Sequence, residues 1–246
     1  EALERDRANT EIIRRHVGEL QKTNFELTRK DKLKDEFLSM ASHELKTPLT
    51  PIIGWCGALK SNTILGTMSP EQRSAVEIIE KNAVKLEKMI SDMLDVQKIE
   101  LGEMKFSISE VQVSKLFKNI EKDFQFMMSE KNIQFITHVD THLILRSDDV
   151  RIMQVLSALL YNSVDFVPKT GGRIEVTAKD SNDGNNVIFC VRDNGPGIPK
   201  DKREFLFKKF YQVDTSLTRK HGGTGLGLAI SKGIVVGLGG TIWVET

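Results

Sequence analysis

The chain has 246 residues, enough for one or two domains, with 39% hydrophobic and 28% charged residues and a formal net charge of +1. This balance is that of an ordinary globular protein, and it gives no electrostatic reason to expect nucleic acid or an anionic membrane as a partner. Its two cysteines, Cys56 and Cys190, have neither the number of a disulfide framework nor the spacing of a metal-ligand pair. No apolar stretch reaches the roughly 18 residues that a membrane-spanning helix requires.

The amino-terminal segment is highly charged and has the pattern of a coiled coil. Over residues 1–36 it contains one Gly and no Pro, and its apolar positions alternate spacings of four and three. The seam residues are Ile13, Val17, Leu20, Asn24 and Leu27. Because a buried Asn at such a position fixes the register of a parallel dimer, the pattern favours a signalling coiled coil over residues 1–32. A solvated single helix is the alternative.

Two long helices are predicted next, over residues 33–102. The first contains SHELKTPL (42–49), in which Pro48 interrupts a helical pattern next to His43. The second opens at SPEQ (69–72), where Ser69 is a good N-cap and Gln72 completes a capping box. The second helix also has a three-four seam, formed by Val76, Ile79, Ala83, Leu86, Ile90 and Met93. One hairpin cannot bury both seams, so two hairpins forming a dimeric four-helix bundle are expected.

The hydrophobic period changes after LGEMKF (101–106), which predicts a second, α+β domain over residues 103–246. Amphipathic helices are expected near 112–129, 149–166 and 223–237, packed against a mixed sheet. The predicted strands are KFSIS (105–109), IQFITHV (133–139), HLILR (142–146), GRIEVTA (172–178), NVIFCVRD (186–193) and GTIWVE (240–245).

Two glycine-rich stretches, DNGPGIP (193–199) and HGGTGLGLAI (221–230), are candidates for ligand contact. Asp193 ends an apolar strand, where its carboxylate can accept hydrogen bonds from an amine or amide. The second stretch precedes an apolar helix, and a glycine-rich helix N-terminus can bind phosphate. A plain loop and helix start explain the same glycines, so both interpretations stay open at this point.

A polar residue and a basic loop complete the candidate set. Asn162 lies among apolar neighbours of the helix predicted at 149–166, as either a satisfied core amide or a ligand of a hard cation such as Mg²⁺. The stretch 205–223 begins aromatic and becomes basic. It is either a mobile lid over phosphates or an ordinary surface loop.

Taken together, SHELKTPL, the Asn-bearing helix, DNGPGIP, and FLFKKF with GGTGLGL occur in an order that resembles the sensor histidine kinases of two-component signalling. The resemblance covers roughly residues 30–246. It implies an H-box in a dimerisation and phosphotransfer domain, followed by the N, G1, F and G2 boxes of an ATP-binding domain similar to that of gyrase and MutL. The fold it implies is a helical hairpin forming a dimeric four-helix bundle, followed by an α/β sandwich.

The resemblance implies a role for each motif. In the H-box, His43 is the phosphoacceptor, Glu44 accepts the proton on the other ring nitrogen, and Thr47 places a water that dephosphorylates the partner regulator. In the ATP-binding domain, Asn162 holds Mg²⁺ and Asp193 binds the adenine amino group. The remaining positions contact nucleotide or lid: Gly195 and Gly197 line the pocket, Phe210 anchors the lid, and Gly223, Thr224, Gly225 and Gly227 lie at the phosphates.

Three departures from the family pattern accompany this resemblance. Ala158 replaces a first asparagine of the N-box, Asp165 replaces a basic residue that touches phosphate, and Lys208 with Lys209 replaces Glu-Arg in the F-box. Loss of one amide and reversal of one charge are expected to weaken nucleotide binding by about 1–3 kcal/mol. Basic lid residues, Lys209 among them, are candidates to compensate.

The expected activity is an ATP-dependent protein-histidine kinase, with a second activity as phosphatase of its response regulator. A signalling scaffold with a degenerate nucleotide pocket is the alternative, and an ATPase clamp or serine kinase on the same fold is a third. The expected partners are a second copy of the chain, a response regulator receiver domain and an upstream sensor domain, without nucleic acid. This portion is expected in the cytoplasm, and the resemblance leaves membrane anchoring of the longer protein open. The kink at Pro48 is expected to let the bundle switch between receiving and donating phosphate.

Overall fold

A computed structural model describes His16 and residues 40–61, 66–140, 142–181, 186–212 and 224–245. Apart from His16, the coiled coil predicted over 1–32 lies outside these residues, as does Gly223. The chain divides into two compact units, one ending at Leu94 and the other beginning at Asp95. The division falls inside the second long helix.

Helix α1, residues 40–60 in the described part of the chain, continues through both of its prolines, Pro48 and Pro51. Each proline removes one backbone hydrogen bond from the helix. The hydroxyl of Thr47 donates to the carbonyl oxygen of His43 at 2.9 Å, and a threonine one turn later repeats this bond at 3.2 Å. Such back-bonds accompany bent helices, although the kink predicted at Pro48 stays a prediction.

Helix α2, Pro70–Glu100, begins with the predicted capping box. The Ser69 N–H donates to Gln72 Oε1 at 2.9 Å, and the Gln72 N–H donates back to Ser69 Oγ at 3.3 Å. The Ser69 hydroxyl also donates to the Glu71 carboxylate at 2.7 Å, and this bond lowers the pKa of Glu71. The start of α2 was thus predictable because its determinants lie within four residues.

Helices α1 and α2 bury only part of the predicted seam. Leu49, Ala83 and Ile90 form a small buried cluster, with Ile53 packed against it. A second stripe along α2 stays exposed, formed by Ile79, Leu86 and Met93. The two stripes each repeat every seven residues, so α2 has one apolar face used within this unit and another left uncovered by the described residues.

The second unit contains five strands and three helices among its described residues. In chain order they are β1 Ser109–Gln112, α3 Val113–Glu130, β2 Gln134–Val139, β3 Ile144–Ser147, α4 Asp149–Phe166, β4 Arg173–Asp180, β5 Val187–Asp193, a 3-10 turn at Lys200–Phe205 and α5 Gly227–Gly237. β1 pairs with β3 in antiparallel fashion. β4 lies between β2, which is parallel to it, and β5, which is antiparallel, so the sheet is mixed as predicted.

The core of this unit lies between the three-stranded sheet and two helices. Alternate residues of β4, Ile174 and Val176, are fully buried, as expected for a strand with one face toward the core. Their buried partners include Phe117 and Ile120 of α3 and Leu160 of α4. This is the α/β sandwich that the sequence predicts.

Two strand predictions are wrong in the described structure. Residues 105–108 form no strand, because the Ser107 N–H donates to the Asp148 carboxylate at 2.8 Å and the Phe106 ring packs on Gly237. Residues 240–245 are also outside any strand, since they pair with none of the described strands. Both segments are apolar enough to read as strands, but a strand also needs a partner for its backbone groups.

The end of α2 is packed into the second unit. The Asp95 carboxylate accepts a hydrogen bond from Gln154 Nε2 of α4 at 2.7 Å and lies 3.5 Å from Arg151 Nη1. The Ile99 side chain lies against Gly233 of α5, where an added Cβ would come within 2.6 Å of it. These contacts join the last turns of α2 to α4 and to α5.

Candidate active site

His43 lies on the exposed side of α1. His43 is exposed, whereas Ser42 before it is buried, and Leu49 further along the helix belongs to the small buried cluster. Glu44 and Thr47 are exposed as well. The imidazole is therefore accessible to a substrate or a partner protein.

The structure does not join Glu44 to His43. Among the described residues no hydrogen bond links the carboxylate to the imidazole, because adjacent residues on a helix point about 100° apart. The proton-accepting role of Glu44 stays a prediction. Thr47, four residues after His43, does lie on the same helix face, as its hydroxyl bond to the His43 carbonyl shows.

In the second unit, α4 and β5 bring together residues that are 30 positions apart in the chain. The Ser163 hydroxyl donates to Asp193 Oδ2 at 3.0 Å, and the Gly195 N–H donates to Asp193 Oδ1 at 2.9 Å. Asn162 is half-buried and immediately precedes Ser163 on α4. The carboxylate is thus held from two sides while Asp193 itself remains exposed.

Each glycine of the first glycine motif occupies a position that disfavours a side chain. A Cβ on Gly195 would lie 2.8 Å from Asp193 Oδ1 and 3.1 Å from the Phe166 carbonyl oxygen, so no side chain fits there. No described residue lies within 4 Å of the Cβ position of Gly197, but its φ of +71° is one that other residues rarely adopt. The motif therefore turns tightly beside the Asp193 carboxylate.

Asn194, between Asp193 and Gly195, closes this end of the sheet. Its side-chain oxygen accepts from the Arg173 N–H at 2.8 Å, and its side-chain nitrogen donates to the Gly171 carbonyl at 2.8 Å. Neither Asn194 nor Ser163 belongs to the candidate residues that the sequence motifs predict. The available signals were the Asn-Gly pair of a tight turn and a serine at a buried helix position.

The second glycine motif is joined to Phe210, which lies in the first part of the predicted lid, residues 205–223. The Phe210 N–H donates to the Gly225 carbonyl at 2.9 Å, and φ is +60° at Phe210 and +70° at Gly225. A Cβ on Gly225 would lie 2.8 Å from the Phe210 carbonyl carbon. Phe210 thus contacts this motif through its backbone, while its ring is 64% exposed.

The start of α5 carries the remaining candidates. The Thr224 hydroxyl oxygen accepts from the Leu226 N–H at 3.2 Å, which caps the turn before the helix. Gly227 is the first residue of α5, and no described residue comes within 4 Å of its Cβ position. Among the described residues, none therefore blocks the approach of a ligand to the backbone at Gly227.

The departures noted in the sequence also have positions in the structure. Ala158 and Asp165 are half-buried on α4, one turn before and one turn after Asn162. Lys209 forms an ion pair with Glu100 at the end of α2, and the Lys208 ammonium lies 4.2 Å from the centre of the Phe205 ring. In this structure Lys209 is therefore engaged by a carboxylate, which competes with the predicted compensation at phosphate.

Comparison with known families accounts for both units. Residues 33–102 match the His Kinase A (phospho-acceptor) domain, and residues 147–246 match the histidine kinase-, DNA gyrase B- and HSP90-like ATPase family. The circadian input-output histidine kinase CikA of Synechococcus elongatus is 37% identical over 222 residues, which cover 87% of this chain and 28% of the relative. The chain belongs to the sensor histidine kinases.

Solved histidine kinases share the fold. Full-length ShkA, crystallised with AMPPNP, is similar with a TM-score of 0.70 and 29% identity over 86% of this chain and 42% of that one. ThkA in complex with the response regulator TrrA is similar with a TM-score of 0.52 and 26% identity over 86% of this chain and 57% of that one. The chain spans between 15% and 40% of the length of three of its curated relatives. None of the helices formed by described residues is long and apolar enough to cross a bilayer.

Proposed function

We propose that this histidine kinase chain transfers the γ-phosphoryl group of ATP to His43 and then to an aspartate of a response regulator. The observation that carries the proposal is the Asp193 carboxylate, held by Ser163 and the Gly195 N–H inside the region that matches the ATPase family. The exposed His43, inside the region that matches the phospho-acceptor family, supports it.

Nucleotide binding is proposed to begin at Asp193. Its carboxylate accepts hydrogen bonds only, and two are already used, so its remaining lone pairs suit the amino group of adenine. Gly195 and Gly197 would line the base, while Gly223, Thr224, Gly225 and Gly227 would approach the phosphates by their backbone. Asn162 would offer its amide oxygen to Mg²⁺, which neutralises charge on the phosphates when bound.

The acceptor step is proposed to use the neutral imidazole of His43. A ring nitrogen attacks the γ-phosphorus; the N–P bond forms as the bond to the bridging oxygen breaks, and ADP leaves with that electron pair. Glu44 is proposed to take part by holding the proton of the other ring nitrogen, which requires a rotamer different from the exposed one of this structure. The phosphohistidine then transfers its phosphoryl group to the aspartate of the regulator, and the imidazole is restored.

A phosphatase activity toward the regulator is proposed for Thr47. Its hydroxyl proton is directed to the His43 carbonyl, so the outward lone pairs of the oxygen are left to accept a hydrogen bond. A water that donates to Thr47 has its own lone pairs free to attack a phosphoaspartate. This orientation supports the role that the family resemblance implies.

Dimerisation is proposed to cover the exposed stripe of Ile79, Leu86 and Met93 on α2. In the dimer, residues 33–102 of the two chains would form the four-helix bundle, and residues 1–32 would form a coiled coil. Residues 103–246 of each chain would form its ATP-binding domain. We also propose that a sensor domain lies upstream in the full-length protein and that this portion lies in the cytoplasm.

A signalling scaffold that docks a regulator without using ATP is the second candidate function. Ala158 and Asp165 favour it, because in the family pattern these positions carry an asparagine and a basic residue that contacts phosphate. Both residues flank Asn162 by one helical turn.

Incubation with γ-labelled ATP and Mg²⁺ separates the two candidates. The native chain is expected to acquire an acid-labile, base-stable label, the signature of a phosphoramidate. His43→Gln is expected to remove the label, while His138→Gln, which changes another exposed histidine, keeps it. A native chain that binds regulator but neither binds ATP nor becomes labelled would establish the scaffold instead.

A further inference from the structure

Ser163 makes an unusual choice of hydrogen-bond partner. It is 5% exposed on α4, where a serine hydroxyl normally donates to the carbonyl four residues earlier in its own helix. Ser231, 1% exposed on α5, does this, with its hydroxyl 2.9 Å from the Gly227 carbonyl oxygen. Ser163 instead donates across to β5, to Asp193 Oδ2 at 3.0 Å.

This bond completes the restraint of the Asp193 carboxylate. The Gly195 N–H holds Oδ1 at 2.9 Å, but a single donor leaves the group free to turn about its Cβ–Cγ bond. With Ser163 on Oδ2, both oxygens are fixed, and each keeps lone-pair capacity for an outside donor. Since Asp193 is exposed, a donor from outside the protein can reach that capacity.

The geometry points to Ser163 as a positioning residue that sets base specificity, an inference that rests on the proposed ATP site. A fixed, acceptor-only carboxylate attracts a base with an amino group at its C6 position and repels one with a carbonyl oxygen there. Without the Ser163 hydroxyl the carboxylate can turn, and a water can then bridge it to a carbonyl. Ser163 therefore acts through Asp193 on the choice between 6-amino and 6-oxo purines.

Competition binding with ATP and inosine triphosphate tests this inference on the full chain. The native chain is expected to bind ATP at least about tenfold more tightly, the order of discrimination that a hydrogen-bonding site gives. Ser163→Ala is expected to lower that preference about fivefold or more, mainly by weakening ATP, as loss of one hydrogen bond to a charged group predicts. Ser163→Cys, with similar volume and a weak donor, is expected to fall between the two.

Ser231→Ala is the matched control, because it also removes a buried helix hydroxyl but one that bonds its own helix. It is expected to keep the native ratio of the two affinities, and the thermal midpoint without nucleotide reports whether each variant folds. A native chain that prefers ATP, with the same preference in folded Ser163→Ala or Ser163→Cys, overturns the role of Ser163 alone. A native chain that binds no ATP overturns the proposed function together with it.

Discussion

The two units of the chain differ in how completely they bury their own apolar side chains. In the helical unit, the described residues form one small buried cluster around Leu49, Ala83 and Ile90. The unit from Asp95 onward contains a large core between sheet and helices and a second cluster around α5. The unit from Asp95 onward therefore has a core of its own, whereas the described residues of the helical unit leave one apolar stripe of α2 exposed, which the proposed dimer would cover.

The difference in burial suits the two roles that we propose, nucleotide binding by the second unit and phosphoryl acceptance by the helical unit. Holding a nucleotide, as proposed for the second unit, needs fixed groups such as the two donors on Asp193, and these depend on a packed core. Presenting His43 to ATP and to a regulator, as proposed for the helical unit, needs an exposed helix that can adjust, and α1 contains two prolines and two threonine back-bonds.

The largest expected effect comes from a charge on the exposed stripe of α2. Leu86→Asp is expected to weaken dimerisation by about a hundredfold or more, since an unpaired buried charge costs about 3–5 kcal/mol. Sedimentation equilibrium measures the change. Phe126→Asp is the matched control, because Phe126 is 78% exposed on α3 of the other unit. Equal dissociation of both variants, or a native chain that is monomeric, would break the comparison.

A smaller effect is expected at the carboxylate of the second unit. Asp193→Asn removes the negative charge and replaces one acceptor oxygen by an NH2 group, which cannot accept a hydrogen bond from the adenine amino group. ATP affinity is expected to fall about 10- to 100-fold, measured by calorimetry, as removal of a hydrogen bond involving a charged group predicts. Asp180→Asn, at the opposite end of the β4–β5 hairpin, is expected to bind as the native chain does. An Asp193→Asn variant with native affinity would remove Asp193 from the site.

The smallest effect concerns the contact between Phe210 and the second glycine motif. Gly225→Ala is expected to lower the free energy of unfolding by about 1–3 kcal/mol more than Gly239→Ala. Both glycines have positive φ, but a Cβ at Gly225 would meet backbone, whereas no described residue lies within 4 Å of the Cβ position of Gly239. Urea titration of both variants gives the difference. Equal destabilisation would mean that the close approach to Phe210 contributes nothing.

The sequence predicted features whose determinants are local. The capping box at Ser69 and Gln72 lies within four residues, and the alternation of β4 follows from a strand with one buried face. The heptad along α2 was also visible. The sequence did not show that this heptad divides into a buried stripe with Ala83 and an exposed stripe with Leu86, because the position of α1 decides which stripe is buried.

Features that depend on distant residues could not be predicted from the pattern. The segment 105–108 is apolar enough for a strand, but the Ser107 N–H binds Asp148, 41 positions away. Similarly, the partner of Ser163 is 30 positions away, and the contact that excludes a side chain at Gly225 comes from Phe210. In the candidate site, therefore, the motifs predict which residues take part, whereas tertiary contacts determine how each group is held.

The most direct measurement separates the acceptor from the nucleotide site. Asp193→Asn in the full chain keeps His43, and the piece 95–246 keeps the ATP-binding unit without it. The two proteins are mixed with labelled ATP held below the native dissociation constant. Label is then expected on His43 of the long chain, with much less label when either protein is incubated alone. His43→Gln in the long chain is expected to abolish the label. Label on the isolated 95–246 piece, or equal labelling of the long chain without it, would contradict the division.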